Sequence, residues 1–211
     1  MQSATPSTLV QLIASRRDRL HTNGLVQAGA VLFVTVLTAA SAQLSVHLPY
    51  TAVPLTLQPM IVLMGGLALG SRLGAASQLL YLAAGVAGLP VFATSLTLPP
   101  GAARLLGPTG GYLMAYPLAA FLTGALGERG FNRRYLTSVL AMCAGLFVVY
   151  AGGVTWLATF LPETGPAALA AAFAAGAAPF LVADVMKLAV AGGAVPLLWR
   201  LFGYRPSTSK Y

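Results

Sequence analysis

Apolar residues in this chain run in blocks long enough to cross a bilayer, separated by short stretches that collect the prolines and charges. The first block covers residues 25–44 and ends where His47-Leu48-Pro49-Tyr50-Thr51-Ala52-Val53-Pro54 brings in two prolines, which break helices. A second, 58–69, is short for a straight crossing and holds Gly65-Gly66, and Gly70-Ser71-Arg72-Leu73-Gly74 is expected as a tight basic turn. The third runs over 75–92 and closes near Pro90. A longer loop, 93–108, carries Pro99-Pro100-Gly101, after which Thr109-Gly110-Gly111-Tyr112 opens a fourth block reaching 127. Glu128-Arg129-Gly130-Phe131-Asn132-Arg133-Arg134 is the most charged connection. The fifth block, 135–161, is ended by Pro162-Glu163-Thr164-Gly165-Pro166. The Ala-rich 167–175 predicts a short helix before a sixth block over 177–202, in which Pro196 predicts a kink.

At about 20 residues per crossing, 211 residues accommodate six transmembrane helices. Composition agrees: 57% hydrophobic and 8% charged, against about 25% charged in a soluble domain, with a mean hydropathy of +0.79. The expected fold class is an all-α integral membrane protein with one domain at 25–203, between an N-terminal cytoplasmic segment 1–24 and a tail 204–211. The formal charge of +8 does not point to nucleic acid, because the cations sit in short clusters between apolar blocks. Lys and Arg concentrate in cytoplasmic loops. With six crossings, Arg16, Arg17, Arg19, Arg72, Arg129, Arg133, Arg134, Arg200, Arg205 and Lys210 share one side, and Arg104 alone falls on the other. Both termini are therefore expected in the cytoplasm, in a prokaryotic cell membrane. Leu9, Val10, Leu12, Ile13 and Leu20 beside Arg16, Arg17 and Arg19 fit either a short amphipathic helix on the membrane surface or a disordered basic tail. Nothing in 1–24 resembles a secretory signal. Trp156 and Trp199, near block ends, are expected as interfacial anchors.

Against this apolar background the sixth block contains Asp184 and Lys187, one helical turn apart on a face shared with Phe180 and Ala191. A charge in such a span costs about 2.5–3.5 kcal/mol on insertion scales and usually has a partner and a task. Counting about 1.5 Å per residue back from Arg200 puts the pair in the outer half of the membrane. The carboxylate can accept N–H donors and the ammonium can donate to a carbonyl or carboxylate, so the pair suits a small polar guest. The alternative is a self-neutralising pair that fixes helix packing in an assembly protein. Tyr81, Phe92, Tyr112 and Phe180 are candidate walls, Thr109 a candidate cap for the fourth helix, and Arg104 a candidate anchor for an anion.

His21 and His47 fall on opposite sides of the membrane, and Cys143 is the lone cysteine. No HExxH, Ser-His-Asp set or Cys/His cluster is present, so neither an enzyme nor a metal or cofactor is expected. Gly-x-x-x-x-Gly-Lys-Ser/Thr is absent too, so any ATP hydrolysis must come from other chains.

Four segments together resemble one family: Val53-Pro54-Leu55-Thr56-Leu57-Gln58, Gly88-Leu89-Pro90-Val91-Phe92-Ala93, Leu106-Gly107-Pro108-Thr109-Gly110-Gly111-Tyr112 and Asp184-x-x-Lys187, in order across residues 25–203. They are similar to BioY, the biotin-binding S-component of energy-coupling factor (ECF) transporters. The resemblance implies a six-helix S-component-like bundle that captures biotin with high affinity near the outer face, in company with a transmembrane coupling protein and two ATPase subunits. It implies further that Asp184 and Lys187 meet the ureido head, that the valerate carboxylate reaches toward the outer loop, that Thr94 helps bind ligand, and that the loop from Val53 to Gln58 is a lid. An S-component for another vitamin stays open beside it. S-components often carry Ala-x-x-x-Ala on the first helix as a close-approach surface for the coupling protein. Here Ala28, Ala30, Thr35 and Ala39 are interrupted by Leu32.

Overall fold

The computed structural model describes residues 7–11, 20–49, 51–95 and 98–201, with side chains of the first long helix from Gly24 onward. Arg16, Arg17, Arg19, Leu12, Ile13, Arg205 and Lys210, and the side chains of Leu20 and His21, lie outside the described residues. Among the described residues the regular structure is helical: α1 (Leu20–Gln43), α2 (Gln58–Leu69), α3 (Ser71–Val86), α4 (Ala103–Leu106), α5 (Gly110–Glu128), α6 (Tyr135–Leu157), α7 (Gly165–Gly176), α8 (Ala178–Ala191) and α9 (Ala194–Leu201). Short 3-10 turns at Phe131–Arg133 and Ala158–Phe160 flank α6.

Proline placement follows what the ring allows. Pro59, Pro166 and Pro179 sit in the first turns of α2, α7 and α8, where the missing N–H has no intrahelical acceptor. The expected five-residue turn after α2 is in fact one residue. Gly70 adopts φ +90°, a conformation open to glycine without a Cβ clash, and α3 already contains Ser71 and Arg72. The expected kink at Pro196 is a break three to four residues earlier, at Gly192-Gly193. Pro196 then occupies the first turn of α9, so it starts that helix and does not bend the preceding one. α8 and α9 together still make one apolar span of 24 residues, and Gly24–Gln43 and Tyr135–Phe160 are likewise long and apolar enough to cross a membrane.

α5 is the central element, packed along α6, α2 and α3, with α1 outside α2 and α3. A Cβ at Gly74 would come within 2.8 Å of the Gly66 backbone, so α2 and α3 touch nearly main chain to main chain. One apolar cluster unites Val62, Leu63, Leu67, Tyr81, Tyr116, Met142, Leu188 and Trp199. Polar side chains serve as helix–helix contacts: Thr35 Oγ1 on α1 donates to the Ser77 carbonyl of α3 at 2.8 Å, as expected where lipid provides no hydrophobic drive for helices to associate. The outward faces are apolar. Leu25, Phe33, Phe147, Val182 and Val190 are all more than two-thirds exposed, large apolar side chains of the kind that suit a lipid-facing surface.

Two terminal expectations change. Leu9 and Val10 are buried, Leu9 in the main cluster and Val10 against Val34 and Leu69, so this turn is docked into the bundle and does not lie flat on a membrane. Trp199 is 1% exposed, with the Arg133 guanidinium 5.5 Å from its ring centroid. It is a packed core residue, because α9 turns its indole inward. Trp156 does lie at a span end, but its Nε1 donates to the Gly107 carbonyl at 2.9 Å and thereby holds a loop.

Candidate functional site

The helices leave a gap at one end of the bundle, and loops close it. The segment joining α1 to α2 folds back on itself through a two-way backbone pairing of Val46 with Leu55, both bonds 2.9 Å. Side-chain donors then pin these loops by their carbonyls. His47 Nε2 meets the Thr94 carbonyl at 2.9 Å, and Gln43 Nε2 donates to the Pro90 carbonyl at 3.2 Å. Arg104, on α4, donates to the carbonyls of Ala93 (2.8 Å) and Pro99 (3.0 Å). Beneath them lies a cavity of about 250 Å³.

Asp184 reaches this cavity from α8 and is 5% exposed. Lys187 Nζ lies 2.7 Å from its Oδ1, and the Tyr150 hydroxyl, from α6, donates to its Oδ2 at 2.6 Å. Lys187 also donates to the Thr56 carbonyl at 2.8 Å, 131 residues away in the chain. The ion pair expected from the i,i+3 spacing is present, but its geometry is asymmetric: the carboxylate lines the cavity, while the ammonium stands behind it, against the loop.

Of the other candidates, Gln58, Phe92, Thr94, Arg104, Thr109 and Tyr112 line the cavity with Asp184. Tyr81 does not. It is fully buried behind the wall, accepting from Gln58 Nε2 at 2.6 Å, donating to the Val91 carbonyl at 3.2 Å, and meeting Phe92 edge to face at 5.3 Å. Tyr81 thus places two residues that do line the cavity. Thr109 precedes α5, but its side chain makes no capping hydrogen bond, so its expected role as a cap is not met. Thr94 is a junction: its carbonyl takes His47 and its hydroxyl lies 3.3 Å from Ser45 Oγ. Phe180 lines the cavity as well.

Two glycines shape the wall. Tyr112 donates to the Gly176 carbonyl at 2.9 Å, and a Cβ on Gly153 would run into the Tyr112 ring. The ring can lie across α6 only because Gly153 has no side chain.

The sequence reading missed Tyr150, Tyr116, Val149 and His47, all of which line the cavity. The signal for Tyr150 and Tyr116 was weak but present, since each is a polar-tipped aromatic within an apolar span. His47 carries no binding role in the sequence pattern, which places it only by its side of the membrane. Among the described residues, Arg104 is the one Lys or Arg side chain on the wall, opposite in charge to Asp184. Partial burial lowers its guanidinium pKa below the ordinary value, yet arginine keeps its charge at neutral pH. A cavity lined by the α8 carboxylate, the α4 guanidinium and aromatic and aliphatic side chains can take a guest that carries both N–H donors and an anion.

Comparison with known proteins follows the same lines. The chain is 43% identical over 165 residues to a probable biotin transporter BioY of Pyrococcus horikoshii, spanning 78% of this chain and 91% of that one. It is 35% identical over 167 residues to the biotin transporter BioY of Thermotoga maritima, spanning 79% and 90%. Among solved structures it shares its fold with the S-component for biotin from an ECF-type ABC transporter, at a TM-score of 0.74 and 24% identity, covering 86% of this chain and 95% of that one. A sequence profile described as the BioY family matches residues 15–204. The chain is a multi-pass membrane protein and belongs to the BioY family.

Proposed function

We propose that this protein is the substrate-capture component of an ECF-type vitamin transporter and that it binds biotin with high affinity in the cavity beneath the 44–57 and 93–108 loops. The observation that carries the reading is that Asp184 and Arg104, of opposite charge, both line one aromatic-walled cavity. A cyclic urea with two N–H donors fits the carboxylate end, and a valerate carboxylate fits the guanidinium. Lys187 completes the ureido end by neutralising Asp184, and Thr94, Thr109, Gln58, Phe92 and Tyr112 finish the walls, with Tyr81 in support. The names carried by the relatives, biotin transporter BioY, support this choice of guest.

In this reading α1, α2, α3, α5, α6 and the α8–α9 pair are six membrane crossings within one domain, 25–203, with both termini in the cytoplasm and the cavity facing outward. Contacts at the end opposite the cavity support it. Ser71 bonds Glu128, and Trp199 stacks with Arg133, so Arg72, Arg129, Arg133, Arg134 and Arg200 gather there, while Arg104 stands by the cavity, the asymmetry expected of an inner and an outer face. A transmembrane coupling protein and two ATPase subunits are the proposed partners for release to the cytoplasm.

The test is a thermal-shift screen of the purified protein against water-soluble vitamins. Biotin should raise the melting temperature, since a ligand at 100 times its Kd adds about 2.7 kcal/mol to stability. Stabilisation by another vitamin alone would reassign the guest, and stabilisation by none would favour an assembly role.

A further inference from the structure

Asp184 has two carboxylate oxygens, and the lysine answers only one. Lys187 holds Oδ1 from behind the wall, whereas Oδ2 is held by a group that itself lines the cavity, the Tyr150 hydroxyl at 2.6 Å. The terminal torsion of an aspartate is soft, with a broad range of accessible planes. One bond at Oδ1 therefore leaves the carboxylate free to turn about that contact. A second, charge-assisted bond at Oδ2 from a fixed point removes that freedom.

Tyr150 is such a fixed point. Its ring meets Tyr112 edge to face, centroids 6.4 Å apart and planes at 87°. Tyr112 is tied in turn to the Gly176 carbonyl and rests on Gly153. Position is thus passed from the end of α7 through α5 and α6 to the carboxylate on α8. We propose that Tyr150 is a positioning residue for ligand recognition: its hydroxyl sets the plane of the Asp184 carboxylate so that the lone pairs left over aim into the cavity at the N–H donors of a cyclic urea. The assignment rests on the biotin reading above. A carboxylate offers about four acceptor positions, so with Lys187 and Tyr150 each taking one, enough remain for the guest.

The experiment compares two ligands on wild type and Tyr150→Phe in detergent: biotin, and a biotin analogue methylated on both ureido nitrogens, which cannot donate. Wild type should prefer biotin strongly. Tyr150→Phe should bind biotin about 10- to 100-fold more weakly, the range for a hydrogen bond to a charged group, while affinity for the methylated analogue hardly moves, so the preference collapses. Melting without ligand should be retained. Tyr112→Phe, which frees the neighbouring ring from Gly176, should reduce the preference by a smaller factor and provides a second route if the first variant folds poorly. Unchanged biotin affinity in Tyr150→Phe, or an equal loss for both ligands, would overturn the assignment, the latter because a merely structural role affects both alike. Wild type that binds no biotin would overturn the proposed function itself, whereas wild type that binds and a Tyr150→Phe that matches it would overturn only this step.

Discussion

At the cavity end, helices stop short and loops are held down by single side chains reaching backbone carbonyls: Gln43 to Pro90, Arg104 to Ala93, Trp156 to Gly107, Lys187 to Thr56. At the opposite end the helices are stitched main chain to main chain. Gly70 turns α2 into α3 in one residue, Gly124 of α5 leaves no room for a Cβ beside the Gly70–Ser71 backbone, and Glu128 Oε1 accepts from both the Ser71 amide (2.8 Å) and its hydroxyl (2.9 Å). Asn132, fully buried, donates to the Ser7 carbonyl at 3.2 Å and fastens the N-terminal turn there. The base is held by close main-chain approach at Gly70 and Gly124, and the loops over the cavity are held by individual side-chain hydrogen bonds. With the proposed function, the contrast would put the guest at one end of the helices and the closely packed base at the other.

If the ends are divided in this way, substitutions at the cavity end should alter affinity and those at the base should alter stability. The largest effect is expected at the ion pair. Asp184→Asn or Lys187→Ala leaves a buried partner charge uncompensated, a change that costs about 3–5 kcal/mol, and biotin binding measured by calorimetry should fall by more than a hundredfold. Gly153→Val should come next, because it displaces the Tyr112 ring from the wall. Overpacking of this kind costs about 1–3 kcal/mol, to be seen as a lower melting temperature together with weakened binding. Arg104→Ala should weaken biotin about tenfold or more, as the loss of a charge-assisted contact implies, yet leave biotin methyl ester nearly unaffected. If both ligands lose affinity equally, Arg104 only holds the loop. The smallest effect on binding is expected at the base: Gly70→Ala forces a side chain into φ +90°, a strain of about 1–3 kcal/mol that should lower the melting temperature and leave Kd where it was. A Gly70→Ala protein that melts normally but binds poorly would erase the distinction between the ends.

What could be read from the amino-acid order follows the same division. Helical segments were legible because a lipid-facing helix must be apolar over its length, and the boundaries of α5, α6 and α7 fall within a few residues of the Gly and Pro signals. Asp184 and Lys187 were legible because charge is scarce in the spans. Tyr150 shows in the sequence only as a polar-tipped aromatic within an apolar span, since its meeting with Asp184 depends on how α6 packs against α8 across 34 residues of sequence. The same holds for Trp199, where the rotation of α9 decides between lipid and core, and for Tyr81, whose spacing suits a wall residue equally well one layer deeper. The turn at Gly70 was read as too long because Ser71 and Arg72 look like loop residues until Glu128 is seen satisfying the first donors of α3.

The bond from α8 to the loop between α1 and α2 has a consequence for how this site can vary. Lys187 grips position 56 by a carbonyl oxygen, the one acceptor every residue type supplies, and so is indifferent to the side chain there. Exchanging Thr56 for another residue of similar backbone habit leaves the clasp intact, and no one-letter pattern could have announced it.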